Sequence, residues 1–553
     1  MKNTNILILL LAIIVLLLIV SACDISKLRN EDMGRDMVLP PEQDSANVVD
    51  RGPVKGGTLR LFSTYPDTLD PITTKNIYIQ NYTGLIYESM VKLDRDQRPT
   101  AWLSDSWNMS QDGYIWVFHI REGVMWQDGF PLTADDIEFT MKTIMSSDND
   151  SVYKYNLSNI SSFTAVDQNT VQIVLKKPNS FTAELMTFPI IPRRFFAKSN
   201  KEDIYKTKFP PGTGPYSIQS YEEDKNVKLA SSRTWWYRKI NDAIDIPYIP
   251  DIDIKLYKYS AEMFNAFQMR SVDVINVESG QFDRYINKSD VIAKKFPGRT
   301  FDFLALNLSS PVLKNKEIRQ AIALSLDKNE IIDAVIPGQA IPCDMPTIPG
   351  TWIYDSDKPS QYLIDGNEVN INKDDKLEAL RQLTPVKLEI LVNEENDIRV
   401  KAAEKISSHL MEVGIIATVR KAKWEEVLKL VDGKRYDIAL LGCEVPSFPD
   451  LSWLYSAWYI PFSFYANNPT ASNIVGFNNE QVNNLINCIF SINDYEVRKS
   501  LFREMKSIID DEVPYIGLYF YYDAVFYNKS IRGNLDPYMR NEYNSIVEWY
   551  ITE

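Results

Sequence analysis

The sequence predicts an α/β protein of several domains, and three observations carry that prediction. Between residues 303 and 442, strand-like and helical stretches alternate, the order that builds a sheet flanked by helices. Ahead of that region, short runs of alternating apolar and polar residues, separated by turn residues, read mostly as strands. Near the end, residues 513–528 (VPYIGLYFYYDAVFYN) have no polar face, so that strand belongs inside a sheet. A chain of 553 residues is long enough for roughly two to four domains around a large core.

The first element is a leader. Lys2 precedes an apolar run over residues 6–20, which suits a signal-peptide core and is short for a membrane span. Residues 20–23 (VSAC) resemble the bacterial lipobox. That resemblance implies removal of residues 1–22 and diacylglyceryl attachment to Cys23, whose acyl chains would anchor the protein stably. From Cys23 to residue 55, charge, Pro and Gly recur with no apolar period, as in a flexible tether. A coil of that length reaches on the order of 30 Å.

Ordered sequence starts near residue 55. Leu59 and Leu61 alternate with Thr58, Arg60 and Phe62 as in a strand, and YPDTLDP makes a loop at its end. Ile79, Tyr82, Leu85, Ile86 and Met90 recur at roughly helical spacing and predict a helix over residues 77–91. Trp116, Phe118 and Ile120 mark another strand, followed by a turn at residues 127–129. Thr133 and Asp136 form a capping box ahead of a helix whose inner face is Ile137, Thr140, Met141 and Ile144. Asp135 and Asp136 then lie in a first helical turn, where carboxylates suit the dipole, which explains both without catalysis.

GTGPY, residues 212–216, leads into two strands joined by EEDKN. It lacks the Lys and the following helix of a phosphate loop. YIPDIDIKLYK reads as a strand, and FNAFQMRSVDVINV as a short helix followed by a buried strand. FLALNLS begins the alternating region as a strand. Residues 315–326 are helical, and Asp327 caps a second helix with Glu330 three residues on. VKLEILVN, IATVRKA and YDIALLG are strands. Between them lie the helix WEEVLKLVDG and an amphipathic helix that turns Ala402, Ala403, Ile406, Leu410 and Val413 inward and stops at Gly414. Ligands usually sit at the ends of such strands. Residues 513–528 return to the first domain and close the chain.

Composition excludes several functions. A net charge of −14 repels phosphate backbones, so nucleic acid is not an expected partner. The two histidines, His119 and His409, sit in a strand and a helix as structural residues, and HExxH and paired-Cys zinc spacings are absent. No catalytic residue, metal or cofactor is therefore assigned. Cys343, Cys443 and Cys488 allow at most one disulfide. Aromatic residues make up 12% of the chain, a surplus suited to gripping ligands through flat faces.

Several blocks carry a family resemblance: GGTLR, TLDP, IYESMVKLD, residues 107–141 (WNMSQDGY to DDIEFTM), GTGPY, IRQAIALSLDKNEII and YDIALLG. In this order and spacing they resemble the extracellular solute-binding proteins of the oligopeptide and dipeptide class, which serve ATP-driven importers. The match runs from Lys55 to Glu553. It implies a two-lobed periplasmic-binding-protein-like fold with a hinge. Lobe I would use residues 56–98, 211–302 and 516–553, with a small domain, 99–210, inserted. Lobe II would be residues 303–515, with chain crossings near 298–303 and 511–515. Two crossings suit a hinge, and a ligand touching both lobes would stabilise the closed form.

In peptide-binding members a carboxylate after the strand that reads YDIALLG here commonly pairs with the peptide amino terminus. That position is Pro446, and a Trp common just after the Gly is Cys443. Glu444 and Asp450 are candidate substitutes, and Trp453 lies in the same segment. The other candidate ligand-binding residues are Ser63, Thr64 and Tyr65 after the first strand, and Tyr519 and Tyr521 on the last. The expected role is capture of short peptides for the permease subunits of an ABC importer. The protein would be a monomer, held to the outer face of the cytoplasmic membrane by its lipid alone. An oligosaccharide or metal chelate is the alternative cargo, and a secreted hydrolase using two carboxylates is the alternative class.

Overall fold

The computed structural model describes residues 52–146, 150–197, 204–205, 208–240, 246–284, 288–354, 386–446, 448–457 and 473–552. The leader, Cys23 and most of the tether lie outside the described residues. The strands are, in order, β1 (Thr58–Thr64), β2 (Val91–Leu93), β3 (Pro99–Ala101), β4 (Ser104–Met109), β5 (Ile115–Ile120), β6 (Ile160–Ala165) and β7 (Thr170–Leu175). There follow β8 (Tyr216–Glu222), β9 (Asn226–Ser231), β10 (Asp251–Tyr257), β11 (Val274–Val277) and β12 (Val291–Leu306). Then come β13 (Ala340–Pro342), β14 (Val386–Asn393), β15 (Ile415–Ala422), β16 (Ile438–Glu444) and β17 (Tyr515–Asn528), and last a two-stranded pair, β18 (Ile531–Arg532) and β19 (Tyr550–Ile551).

Strands β4-β5-β7-β6 form a four-stranded antiparallel sheet of their own. On β5 the alternation read from sequence holds, with Trp116, Phe118 and Ile120 buried. The capping box also forms: Thr133 and Asp136 satisfy each other's backbone at the start of the helix Ala134–Met145.

The principal sheet has eleven strands in the order β15-β14-β16-β12-β17-β11-β1-β10-β9-β8, with β13 added on β17. At one end β14 runs parallel to both β15 and β16. The helices Asp397–Glu412 and Trp424–Asp432 make the crossovers, which gives the α/β lobe expected from the alternating sequence. At the other end β1 runs parallel to β10 and β11, and β8-β9-β10 continue antiparallel.

Strands β12 and β17 join the two ends. Residues 291–297 of β12 face residues 522–528 of β17, while residues 301–305 face residues 515–520. Between these stretches the register slips, at Pro297/Phe301 and again at Asp302/Phe303. Such a break bends a strand and leaves its middle unpaired. The fold is thus two-lobed α/β, with the two long strands as its spine.

Three expectations need correction. The helix predicted over residues 77–91 is only Ile77–Thr83. The carbonyls of Leu85 and Ile86 instead accept from the Tyr216 and Gly214 N–H groups of GTGPY, so the pairing of distant backbone overrides local periodicity. The strand expected from Phe303 begins at Val291. Finally, β17 does not return to the first domain alone, because its first half pairs with the second-lobe part of β12.

Candidate functional site

The site is built at the bend of the spine. Gly298 lies in the unpaired middle of β12, and Asp523 of β17 lies against it. A Cβ at position 298 would fall 2.5 Å from Asp523 Oδ2, so only glycine leaves room for this carboxylate. Burial pushes Asp523 up to about 7; Glu278, Glu542 and Glu444 push the same way and Arg299 opposes them. Among the described residues no hydrogen bond or ion pair closes on Asp523. It is a partly buried acid facing other acids, an arrangement that favours an incoming cation.

Arg299 is turned aside. Its Nε donates to the Val445 carbonyl at 2.8 Å, and its Nη1 stands 3.5 Å from Glu444 Oε2. The Val445 N–H donates back to the Arg299 carbonyl at 2.9 Å, which ties the segment after β16 to the bend. Arg540 lies in a left-handed turn with φ 63° at an exposed position. Desolvation by the protein around its guanidinium and then repulsion from Arg299 push it down to about 10, with Glu444, Tyr153 and Glu542 acting against them.

Beside this lies a closed polar network. Asp302, fully buried, receives Arg399 Nε at 3.0 Å and Nη2 at 2.7 Å, and the Tyr521 hydroxyl donates to it at 2.9 Å. Gly442 makes the network possible, because a Cβ there would overlap both Asp302 and Arg399. Burial works against the Arg399 charge, but Asp302 outweighs it and raises its pKa. Tyr519 meets Tyr521 edge-on at 5.4 Å, and burial raises both phenols. The network locks β12, β17 and the helix Asp397–Glu412 together.

The candidate residues from sequence fall in different places. Glu444 is exposed and joins the Asp523 group through Arg299. Asp450 is buried and accepts from the Ser452 N–H at 3.0 Å and from its hydroxyl, closing the turn into the short helix Ser452–Tyr455. Trp453 is buried with its ring edge toward Phe303. Ser63 is buried and donates to the Thr64 carbonyl; Thr64 Oγ1 accepts from Asn76 Nδ2 at 2.9 Å; Tyr65 is 38% exposed. Tyr521 belongs to the closed network, and Tyr519 packs against it with its own hydroxyl buried and short of a hydrogen-bond partner. Asp523, Arg540, Asp302 and Arg399 escaped the sequence reading. The one available signal was that Asp523 is the single charged residue in the otherwise apolar β17.

The two histidines are accounted for structurally. His409 is buried, with Nε2 3.0 Å from Glu330 Oε2 and Nδ1 accepting from the Asp327 N–H. His119 sits on an exposed position of β5.

Comparison with known proteins decides the family. A profile described as "Bacterial extracellular solute-binding proteins, family 5 Middle" matches residues 98–465. This chain belongs to that family. Family 5 proteins bind solutes and are not enzymes. The oligopeptide-binding protein OppA of Bacillus subtilis is 22% identical over 87% of this chain and 90% of its own length. The dipeptide-binding protein of Escherichia coli is 24% identical over 80% and 85%. Among solved structures, the ABC transporter substrate-binding protein CtaP of Listeria monocytogenes superposes with a TM-score of 0.70 at 21% identity, over 90% of this chain and 100% of that one. Among the described residues of this family 5 chain, no helix is long and apolar enough to cross a membrane.

Proposed function

We propose that this family 5 protein is the substrate-binding lipoprotein of an ABC importer, capturing short peptides between its lobes and delivering them to the permease. Lobe I is residues 56–98, 211–302 and 516–553, with residues 99–210 inserted, and lobe II is residues 303–515. Cys23 carries the lipid, and residues 24–55 give the body its reach from the outer face of the membrane.

The observation that carries the peptide reading is the uncompensated Asp523 at the bend between the lobes. Family members that take peptides need an anion for the ligand's ammonium, and the usual position reads Pro446 here. Asp523, with Glu444 and Glu542 near it, supplies that charge from another strand. Arg540, exposed beside them, offers a partner for the ligand carboxylate, so the pair suits a zwitterion.

Calorimetric titration with a di- to pentapeptide library tests the proposal. Peptides with a free amino terminus should bind, N-acetylated forms should bind at least tenfold more weakly, and Asp523→Asn should remove the difference. Binding of cello- or xylo-oligomers with no response to any peptide would overturn the peptide reading and leave the family intact.

A further inference from the structure

The region of the four-stranded sheet meets the distant C-terminal helices in a buried box around one arginine. Arg498, in the helix Tyr495–Glu512, is fully buried. Its Nη1 donates to Ser180 Oγ at 3.2 Å and stands 3.8 Å from Glu184 Oε1. The rings of Tyr495, Phe181 and Trp352 lie 4.3, 4.8 and 5.0 Å from its guanidinium carbon. Ser180 also reaches the helix Glu480–Ser491: its N–H donates to the Phe490 carbonyl at 2.7 Å and its hydroxyl to the Ile489 carbonyl at 2.8 Å. Phe181 packs on Phe490 and Phe448, both at 5.4 Å.

These partners come from opposite sides of the bend. Residues 180–184 are bound to the first lobe, because the neighbouring Met186 carbonyl accepts from the Val91 N–H and the Ile190 N–H donates to the Glu88 carbonyl. Phe448, Phe490 and Arg498 follow β16 and belong with the second lobe. Trp352 adds another crossing, its N–H donating to the Asp96 carbonyl at 3.0 Å. Any separation of the lobes on this side has to open the box.

The box is also incompletely bonded. Arg498 Nε and Nη2 and Glu184 Oε2 are buried without a partner of hydrogen-bond geometry. A buried ion pair short of hydrogen bonds does not recover its desolvation cost. Parting the faces would let water supply the missing bonds. The ring contacts, the Ser180 hydrogen bonds and the Arg498–Glu184 pair hold the box shut, while its unmet hydrogen bonds favour opening, the balance expected of a reversible contact and not of a permanent weld.

We infer that Arg498, with Ser180 and Glu184, is a latch between the lobes that sets how readily they separate, and through that the affinity for solute. Arg498 is thus a positioning residue and touches no ligand. The inference rests on the proposed capture of solute between the lobes, a clamp, only in requiring lobes that move.

Solution scattering of the full chain without solute tests it, using Arg498→Met and Ser180→Ala, with circular dichroism to verify folding. Both variants should keep the wild-type spectrum and shift the profile to a larger radius of gyration. Solute affinity should fall about tenfold, in proportion to the lost fraction of the latched form. If Arg498→Met does not fold, Ser180→Ala decides alone, since it removes two hydrogen bonds and no charge. Folded variants with wild-type scattering would overturn the latch. Should peptides change the wild-type profile while the variants match wild type, the latch fails and the clamp stands. Should the variants expand while no peptide has any effect, the latch stands and the peptide reading fails.

Discussion

Gly298 and Asp523 are fitted to each other across the two strands that join the lobes. The carboxylate occupies the space a side chain at 298 would need, 2.5 Å from the position of its Cβ. The bend in β12 and the acid on β17 are therefore one feature, and the strand that carries the bend also makes room for the charge.

Gly298→Ala should displace that carboxylate. Overpacking of this kind costs about 1–3 kcal/mol, so the melting temperature should fall. Peptide affinity should fall further than it does in a distant variant of equal stability, and paired calorimetry of folding and binding checks this.

Asp523 gives a signed pH dependence. Its folded-state value of about 7 lies above the ordinary 3.8. Between those values the folded chain holds a proton that the unfolded chain has released, so its contribution to stability declines as pH rises through that window. Asp523→Asn should be more stable than wild type above pH 7, by on the order of 2 kcal/mol once partial exposure is allowed for, and equal to it below about pH 4. Urea titrations at both ends measure the difference. Affinity for an ammonium-bearing ligand should follow the opposite course, rising as Asp523 ionises.

Asp302→Asn and Arg399→Met should each be severely destabilising. Removing one member of a buried ion pair leaves the other uncompensated, at about 3–5 kcal/mol. Asp302→Leu combined with Arg399→Met should recover part of that loss, and a double-mutant cycle in denaturant reads the coupling.

Glu88 binds three indole N–H groups, from Trp102, Trp235 and Trp236 at 3.0, 3.2 and 2.7 Å. Glu88→Leu would strand all three donors, at about 1–3 kcal/mol each. The expected result is a loss of at least about 3 kcal/mol with a change in tryptophan emission, measured by fluorescence-detected unfolding.

Local chemistry was legible in the sequence. The alternation of Trp116, Phe118 and Ile120, the Thr133–Asp136 box and the inward face of Ala402, Ile406 and Leu410 all depend on neighbours within a turn or a strand. The family blocks were legible for the same reason, since each is a short element with its own turn. Elements held by distant partners were not. The stretch from Leu85 to Val91 has helical spacing, yet the Leu85 and Ile86 carbonyls are claimed by Tyr216 and Gly214, and no window along the chain contains that competition.

The candidate site divides in the same way. By itself the sequence determined the α/β class and the family resemblance, because these are properties of residue type and order. Only the tertiary structure decided which acid stands uncompensated. Asp450 is absorbed by Ser452 in a turn, Asp302 by Arg399 and Tyr521, and Asp523 is left facing Glu278, Glu444 and Glu542. A carboxylate's charge state is set by the groups within a few ångströms of it, and some of those groups are distant in the chain: Tyr521 lies 219 residues from Asp302.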